Sequence, residues 1–385
     1  MRILHLPMSV GGNPQGLARA ERELGLKSWC VAFDRTYFDY QSDEVLMGYK
    51  ENPLVREIKR WLLLWRAVRD FDVVHFNFGS SIMPQWTPPP PADQPQNLSW
   101  LRWVYRFYVR HLELADLPLL KRAGKGIVVT YQGDDARQGD FCRAHFAISP
   151  ADEVEPGYYG AESDARKRQR ISRFAEYADR IFSLNPDLLH VLPPRAEFLP
   201  YSHIDLRSWQ VAEQRHPNPT TPVVAHAPSH RGVKGTRFIL DAVSRVQAEG
   251  LSLEFLLVEG LPHGEARHLY RRADLLIDQL LCGWYGGVAV EFMALGKPVI
   301  CYVREDDLGF IPPPMRQDLP LIKATPASIH RVLREWLTLR RHELPEIGRL
   351  GRDYVEKWHD PLKIAARMKE EYGEIMSSKS KSGRH

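Results

Sequence analysis

The chain has 385 residues, of which 44% are hydrophobic and 26% charged, and its formal net charge is +4. This length is too great for one ordinary core and predicts a soluble globular protein of two domains. The small positive charge is compatible with an anionic ligand or membrane surface but gives no reason to expect nucleic acid as a partner.

The first residues and the cysteines indicate where the protein works. A predicted strand begins at Arg2, directly after Met1, so we expect no signal peptide. No apolar run approaches the ~20 residues needed to span a bilayer. The four cysteines are scattered without a C-x-x-C pair: Cys30, Cys142, Cys282 and Cys301. This spacing favours reduced thiols over disulfides or a zinc site, and we expect a cytoplasmic protein.

A glycine pair follows the first predicted strand. The strand covers residues 2–7, Gly11 and Gly12 lie in the loop after it, and a helix is predicted over residues 15–24. Two glycines at this position let the backbone approach a ligand closely. The loop lacks both the full G-x-G-x-x-G pattern and the P-loop lysine, so neither a classical dinucleotide site nor a P-loop is expected.

Polar residues follow two further buried strands of this half. His75 and Asn77 end the strand over residues 72–77, and Gln132 and Asp134 follow the strand over 126–131. Ligands of open α/β sheets collect at the carboxyl ends of strands, so these four residues are candidate sugar or acceptor contacts. Two alternatives remain open: His75 as a core histidine bonded to the backbone, and Asp134 as a helix cap. Asp134 and its neighbouring aspartate lack a third ligand, so no metal site is expected.

Two helices of this half combine basic and aromatic residues. They are predicted over residues 54–69 and 100–114, and three arginines spaced four apart share one face of the second helix: Arg102, Arg106 and Arg110. Such a helix suits an anionic membrane surface, so the protein is predicted to attach peripherally at the inner face of the membrane. The alternative is an amphipathic helix that packs its aromatic side on the sheet.

Two cations follow the first strand of the second half. A strand over residues 222–227 leads into a glycine-containing loop with Arg231 and Lys234, and a helix over 237–248 comes next. Two cations between a strand and a helix start could bind a diphosphate. They could equally be solvated loop charges.

The stretch from Gly283 to Ile300 is the most informative. Gly286 and Gly287 open a short apolar helix, and a glycine followed by proline closes it before a buried strand. Glu291 is a carboxylate in the middle of this apolar helix and therefore needs hydrogen-bond donors. The hydroxyls of a ribose would supply them, and free amides at the helix start would face an anion. The alternative is a helix carboxylate satisfied by a neighbouring basic residue.

The predicted organisation is an α/β protein with two Rossmann-like domains. The first covers residues 1–205 and the second residues 206–360. A final helix over 361–376 is long enough to cross back onto the first domain, and the polar tail 377–385 is expected to be disordered. The proline-rich segment 80–97 is interpreted as a surface insertion near the cleft, forming a lid on the acceptor side.

Three motifs of the second half occur in the order known from one family. Lys234-Gly235-Thr236, Ala273-Asp274 and the run from Glu291 to Val299 resemble those of the group 1 glycosyltransferases, which have the GT-B fold. The last run looks like the second half of the E-x7-E element of that family.

This resemblance implies transfer of a sugar, with retention, from a nucleoside-diphosphate sugar to a saccharide or lipid-linked acceptor. It implies synthesis of a surface polysaccharide or glycolipid and needs no metal cofactor. Arg231 and Lys234 would bind the diphosphate, and Glu291 the ribose hydroxyls. The remaining donor contacts would come from both domains: Gly11, Gly12, Tyr285, Gly286, Gly287 and Val288. Fixed cations and amides suit this chemistry because the leaving diphosphate gains negative charge.

The sequence departs from the family pattern at two positions. The first glutamate of the E-x7-E element falls at Gly283, and the family's histidine after the strand near Thr130 is Gln132. Gly283 favours a second hypothesis, a catalytically idle subunit that binds a nucleotide sugar. A GT-B epimerase or phosphorylase is a third, although no cofactor-lysine environment for a phosphorylase is identifiable.

Overall fold

The protein, seen as a computed structural model, contains two parallel sheets that are each covered by helices. The structure describes residues 1–8, 10–86, 100–211 and 221–382. The predicted lid therefore lies outside the described residues from position 87 onward. In the described ranges, no helix is both long and apolar enough to cross a bilayer.

The N-terminal domain is built on a seven-stranded sheet. Its strands are β1 (Arg2–Leu6), β2 (Lys27–Ala32), β3 (Glu44–Val45), β4 (Val73–Asn77), β5 (Gly126–Tyr131), β6 (Arg180–Ser183) and β7 (Glu197–Phe198). Its helices are α1 (Asn13–Glu23), α2 (Pro53–Asp70), α3 (Trp100–Leu112), α4 (Asp116–Arg122), α5 (Gly139–His145) and α6 (Ala161–Tyr177). All neighbouring strands are parallel, in the order β3-β2-β1-β4-β5-β6-β7. The order reverses between β1 and β4, where ligands of such sheets bind.

The C-terminal domain is built on a five-stranded sheet. Its strands are β8 (Val223–His226), β9 (Glu254–Leu257), β10 (Leu275–Ile277), β11 (Val299–Cys301) and β12 (Ile322–Lys323). Its helices are α7 (Arg231–Lys234), α8 (Thr236–Ala248), α9 (His263–Arg272), α10 (Gly287–Ala294), α11 (Pro313–Gln317), α12 (Ile329–Leu337) and α13 (Leu344–Trp358). The strands are again parallel, in the order β12-β11-β10-β8-β9, so the order reverses between β8 and β10.

The last helix, α14 (Pro361–Ser382), returns to the N-terminal domain and packs along α1. Its Tyr372 hydroxyl donates to Glu21 Oε1 (3.0 Å) in the buried interior of that domain. The predicted disordered tail is wrong for residues 377–382, which continue this helix, and 383–385 lie outside the described residues. The helix extends because its last turns still contact the first domain: Lys379 Nζ lies 3.2 Å from Asp179 Oδ2.

The hydrophobic core lies on both faces of each sheet. The central strands are buried at every position, as expected for parallel sheets covered by helices on both sides. One core cluster is continuous between the domains and contains residues of β1, α10 and α14. The apolar packing is therefore continuous across the contact between the two domains.

Candidate active site

A cavity of about 170 Å³ lies between the domains, beside the points where both strand orders reverse. The N-terminal domain lines it with Gly11 and with the aromatic segment from Tyr37 to Tyr40. The C-terminal domain lines it with Lys234 and with the first residues of α10. The backbone amide of His263 donates to the Phe38 carbonyl (2.9 Å), which holds the aromatic segment over the C-terminal wall.

The glycine loop after β1 serves two purposes. Gly11 and Gly12 both have left-handed backbone conformations, with φ of 60° and 70°. Gly11 lines the cavity, whereas a Cβ on Gly12 would lie 2.9 Å from the ring of Tyr40. Gly12 is thus needed for packing of the aromatic segment, and of the two predicted donor contacts only Gly11 reaches the cavity.

The start of α10 presents two amides to the cavity. Gly287 and Val288 line the cavity, and as the first residues of the helix their amides have no acceptor within it. The Gly286 amide differs from the prediction because it donates to Asp278 Oδ2 (2.6 Å). Two of the three predicted amides can therefore meet an anion.

Lys234 stands directly beside this helix start. Its ammonium donates to Gln279 Oε1 (2.6 Å) and lies 3.4 Å from Asp278 Oδ1. A Cβ on Gly286 would lie 2.7 Å from Lys234 Nζ, so a larger residue there would push the ammonium away from this position. The lysine and the amides of α10 therefore form one positively polarised wall of the cavity.

Arg231 occupies the rim of the site. Its side chain is 60% exposed and donates twice to Glu259, at 2.8 and 2.5 Å. That hydrogen-bonded pairing raises the pKa of Arg231 and lowers that of Glu259. Glu259 lines the cavity. Arg231 thus lies only at the edge of the site. Of the two predicted cations, Lys234 lines the cavity and Arg231 does not.

Glu291 lies buried beneath the cavity wall between two histidines. His263 Nε2 donates to its Oε1 (2.6 Å), and His203 Nε2 lies 3.5 Å from the same oxygen. The other oxygen, Oε2, is buried and has no hydrogen-bond partner among the described residues. Burial acts to raise the pKa of Glu291, but the nearby His203 and the hydrogen-bonded His263 lower it to about 2. Oε1 of Glu291 thus has the neighbouring basic partner that the alternative predicts. Oε2 has no donor among the described residues.

The His263–Glu291 pair predicts a pH-dependent contribution to stability. Burial acts to lower the pKa of His263, but the hydrogen bond with Glu291 raises it above 6.5. A raised histidine pKa stabilises the fold fully below the unfolded pKa and loses that effect as the pH rises through the folded one. We expect His263→Gln to be less stable than wild type. The difference in the free energy of unfolding should be largest at about pH 5.5 and smallest at about pH 8.5.

Urea unfolding of both proteins across this range measures the difference. Glutamine can still donate to Glu291, so hydrogen bonding is retained while the charge is lost. A deficit that is the same at both ends of the range would contradict the ion pair.

The predicted sugar contacts separate into core and edge residues. His75 is fully buried, with Nδ1 2.8 Å from the Tyr372 hydroxyl and Nε2 2.7 Å from Thr130 Oγ1. His75 is therefore a core residue, and its ring nitrogens are held by two side chains rather than by the backbone. Asn77 and Gln132 lie at the sheet edge, where Gln132 Nε2 donates to Asn77 Oδ1 (3.3 Å).

Asp134 is committed to a buried ion-pair network. Its oxygens accept from Arg137 Nη1 (2.8 Å), from the Tyr158 hydroxyl (2.7 Å) and from the Tyr159 hydroxyl. Arg137 is itself buried and donates through Nε to Asp187 (2.8 Å). This network, rather than a helix cap or a free hydroxyl-binding carboxylate, accounts for Asp134 in the structure.

Tyr285 was predicted as a donor contact, but its side chain faces the core. Its hydroxyl lies 3.0 Å from that of Tyr354 and 2.8 Å from His359 Nε2, and the residue is fully buried. The ring of Tyr285 packs in the apolar core, and the cavity is lined by Gly287 instead. Tyr285 therefore positions the start of α10 from behind.

Arg304 occupies the space beside Gly283. Gly283 has a φ of 80°, and a Cβ there would lie 2.7 Å from Arg304 Nη1. Arg304 is buried and donates to Asp307 (2.7 Å) and to the Ile148 carbonyl of the N-terminal domain (2.9 Å). Its guanidinium also stacks on Phe146 (3.5 Å). An arginine that bridges the domains thus stands where the family pattern has a carboxylate.

No protein-family model and no curated sequence matches the chain. Solved structures do match it over nearly its whole length. HepE from Anabaena in complex with UDP-glucose is 13% identical (TM-score 0.58; 98% of this chain and 100% of that chain). Sucrose-phosphate synthase from Thermosynechococcus elongatus is 14% identical (0.57; 98% and 100%). The catalytic domain of starch synthase IV from Arabidopsis thaliana, bound to ADP and acarbose, is 12% identical (0.56; 98% and 99%).

The matched structures are GT-B glycosyltransferases, and each aligns with both sheets of this chain rather than with one domain. At this level of identity the likeness concerns architecture. It confirms, for the fold, the resemblance predicted from three short motifs of the second half. The protein is an α/β protein with the GT-B fold.

Proposed function

We propose that the protein is a retaining glycosyltransferase that takes a sugar from a nucleoside diphosphate and passes it to a saccharide or lipid-linked acceptor. The observation that carries the proposal is the wall formed by Lys234 Nζ and the amides of Gly287 and Val288. It lies in a cavity that both domains line, which is where a donor and an acceptor would have to meet. HepE and starch synthase IV, which share this fold, were solved with UDP-glucose and with ADP.

The wall suits a leaving diphosphate. Negative charge grows on the phosphates as the glycosidic bond breaks, and donors fixed in advance stabilise that charge without reorganising. Lys234 would release Asp278 and Gln279 to contact the phosphates, while Arg231 would assist from the rim. The unpartnered Oε2 of Glu291 would accept from a ribose hydroxyl. In this mechanism the protein supplies the positive charge through its own residues.

The apolar end of the cavity suits a nucleobase. Tyr37 and Phe38 enter from the N-terminal domain, and Leu261 and Tyr270 from the C-terminal domain. Aromatic and aliphatic side chains of this kind bury the faces of a flat ring. The base would then lie at one end of the cavity and the diphosphate at the end near α10. A role in surface polysaccharide or glycolipid synthesis, in the cytoplasm, completes this proposal.

Gly283 and Arg304 favour one second candidate, a subunit that binds the nucleotide sugar without turnover. The sugar-facing carboxylate of the family is replaced, and a buried arginine fills the space. Donor binding would survive this change because the diphosphate wall lies elsewhere.

Ligand binding and turnover test both candidates. Uridine, guanosine and adenosine diphosphates are compared in a thermal-shift assay, and we expect one of them to raise the melting temperature. A ligand at about 100 times its Kd stabilises the native state by roughly 2.7 kcal/mol. Release of nucleoside diphosphate is then followed with a panel of sugar donors and a lipid extract as acceptor, and the anomeric configuration of the product is read by NMR.

Each outcome assigns the protein. Release that depends on the acceptor, with a retained anomeric centre, supports the retaining transferase. Binding without release by any donor supports the idle subunit. A donor whose sugar is epimerised without an acceptor would identify an epimerase. If none of the three nucleotides shifts the melting temperature, the proposed donor site is wrong.

A further inference from the structure

Helix α2 is apolar on its outer side as well as on its inner side. Leu63, Leu64 and Ala67 are buried against the domain, as expected for an amphipathic helix. The opposite side carries Leu54, which is 75% exposed, and Trp65, which is 53% exposed. The exposed residues Ile58, Trp61 and Leu62 lie between them at helical spacing and continue the same stripe. A monomer gains nothing from an outward apolar stripe of this length.

Helix α3 continues this surface. Its outward side carries Trp100, Trp103 and Phe107, which are spaced three and four residues apart and are all more than half exposed. The rings of Trp103 and Phe107 stack with their centroids 6.0 Å apart. We call the outward residues of α2 and α3 together the α2–α3 face.

The two helices are tied side by side. Glu57 of α2 accepts from the hydroxyls of Tyr105 and Tyr108 of α3, both at 3.0 Å. Trp61 Nε1 donates to the Tyr108 hydroxyl at 2.9 Å. On a helical wheel these tying residues lie on the flanks, so the two apolar stripes point outward in the same direction. The α2–α3 face is therefore one contiguous surface, and such surfaces mark contact sites.

Charge on the face selects the kind of partner. The sequence of α3 contains three arginines and no acidic residue. Among the described side chains, Arg106 and Arg110 have no salt-bridge partner, and they lie on the flank of α3 away from α2. The carboxylate between the two helices, Glu57, is held by the two tyrosines and is close to Arg60 (3.4 Å). The surface thus presents tryptophan, phenylalanine and leucine beside uncompensated positive charge.

We propose that the α2–α3 face docks on the surface of an anionic lipid bilayer. Tryptophan and leucine enter the boundary between headgroups and acyl chains, and arginines beside them attract anionic headgroups. A second copy of the chain is a poorer occupant, because a two-fold contact centred on α3 would bring the arginines of both copies together. The apolar stripe extends over two helices, so insertion supplies more of the binding than charge does. This proposal keeps the two helices that the sequence pointed to and adds that their exposed apolar residues form the contact.

Vesicle co-sedimentation of the full chain tests the proposal. Vesicles of phosphatidylcholine alone are compared with vesicles of phosphatidylcholine and phosphatidylglycerol. We expect wild type to bind the mixed vesicles, and the double variant Leu62→Glu with Trp103→Glu to bind them at least about tenfold more weakly. The matched control is Leu339→Glu, because Leu339 is 78% exposed and lies in the C-terminal domain. This control is expected to bind as wild type does.

A second variant separates insertion from charge. Arg106→Glu with Arg110→Glu is expected to lose the preference for the mixed vesicles, with a smaller loss of total binding than the apolar variant shows. Thermal unfolding with and without nucleoside diphosphate checks that each variant is folded. The proposal is overturned if wild type sediments with neither vesicle, or if the apolar variant binds as well as wild type. It is also overturned if light scattering shows a dimer that the apolar variant abolishes and no vesicle binding accompanies it.

Discussion

Replacing Lys234 with methionine is expected to lower the rate of nucleoside diphosphate release by about 100- to 1000-fold. The ammonium is the one cation that both lines the cavity and touches the start of α10 in the described part of the chain. Methionine keeps the stem of the side chain and removes its charge, so the loss reports on charge rather than on a cavity. Initial rates at saturating donor measure it.

Arg231→Ala is the matched comparison for this variant. Arg231 was predicted from the sequence as an equal partner of Lys234, but its exposed guanidinium is already paired with Glu259. Its loss should lower the rate by about tenfold or less, because charges in contact with water contribute weakly. Equal losses in the two variants would contradict the assignment of Lys234 as the principal cation. A Lys234→Met protein with an unchanged rate would exclude the diphosphate wall altogether.

Gly283→Glu, which restores the family's carboxylate, is expected to destabilise the protein by about 3–5 kcal/mol. The new side chain would sit in a left-handed backbone conformation and displace the buried guanidinium of Arg304. Asp307, which is fully buried, would then lose its ion pair with Arg304 and keep the contact with His190 (2.9 Å). Denaturant unfolding gives the free energy, and activity assayed on the folded fraction should not rise.

Gly309→Glu is the control for this substitution. Gly309 lies five residues beyond Arg304, and a Cβ there meets no atom within 4 Å, so a glutamate should change stability by less than about 0.5 kcal/mol. A Gly283→Glu protein as stable as the control, with a higher rate, would show that Arg304 moves aside readily. In that case Arg304 would not prevent turnover, and the idle-subunit hypothesis would rest only on the absence of a carboxylate at position 283.

The elements that the sequence predicts well are those with strong local signals. The apolar helix α10 was bounded correctly because glycines precede it and a glycine and a proline follow it. The proximity of Lys234 to that helix followed from the parallel topology, which brings strand ends together. His75 could not be assigned in this way, because β4 is buried on both faces and alternation does not say which face meets the cleft.

The partners of Glu291 were out of reach of the sequence for a different reason. His203 follows β7, the last strand of the first domain, and His263 begins α9, sixty residues later. Neither histidine belongs to a recognisable sequence motif with Glu291. They meet its carboxylate only when the two domains are assembled. Arg304 was missed likewise, since nothing near Gly283 in the chain indicates an arginine twenty-one residues away. A glycine where a family has a functional acid is nevertheless a signal to look for what fills the space.

The return of α14 to the first domain has a consequence for biogenesis. Tyr372 reaches both Glu21 and His75, so the interior of the first domain is completed by a helix that follows the whole second domain in the chain. His75 therefore gains its Tyr372 partner only after the second domain has been synthesised. A fragment ending before Pro361 should therefore expose the flank of α1 and precipitate on expression, whereas the same fragment supplied with the missing helix as a separate peptide should be rescued.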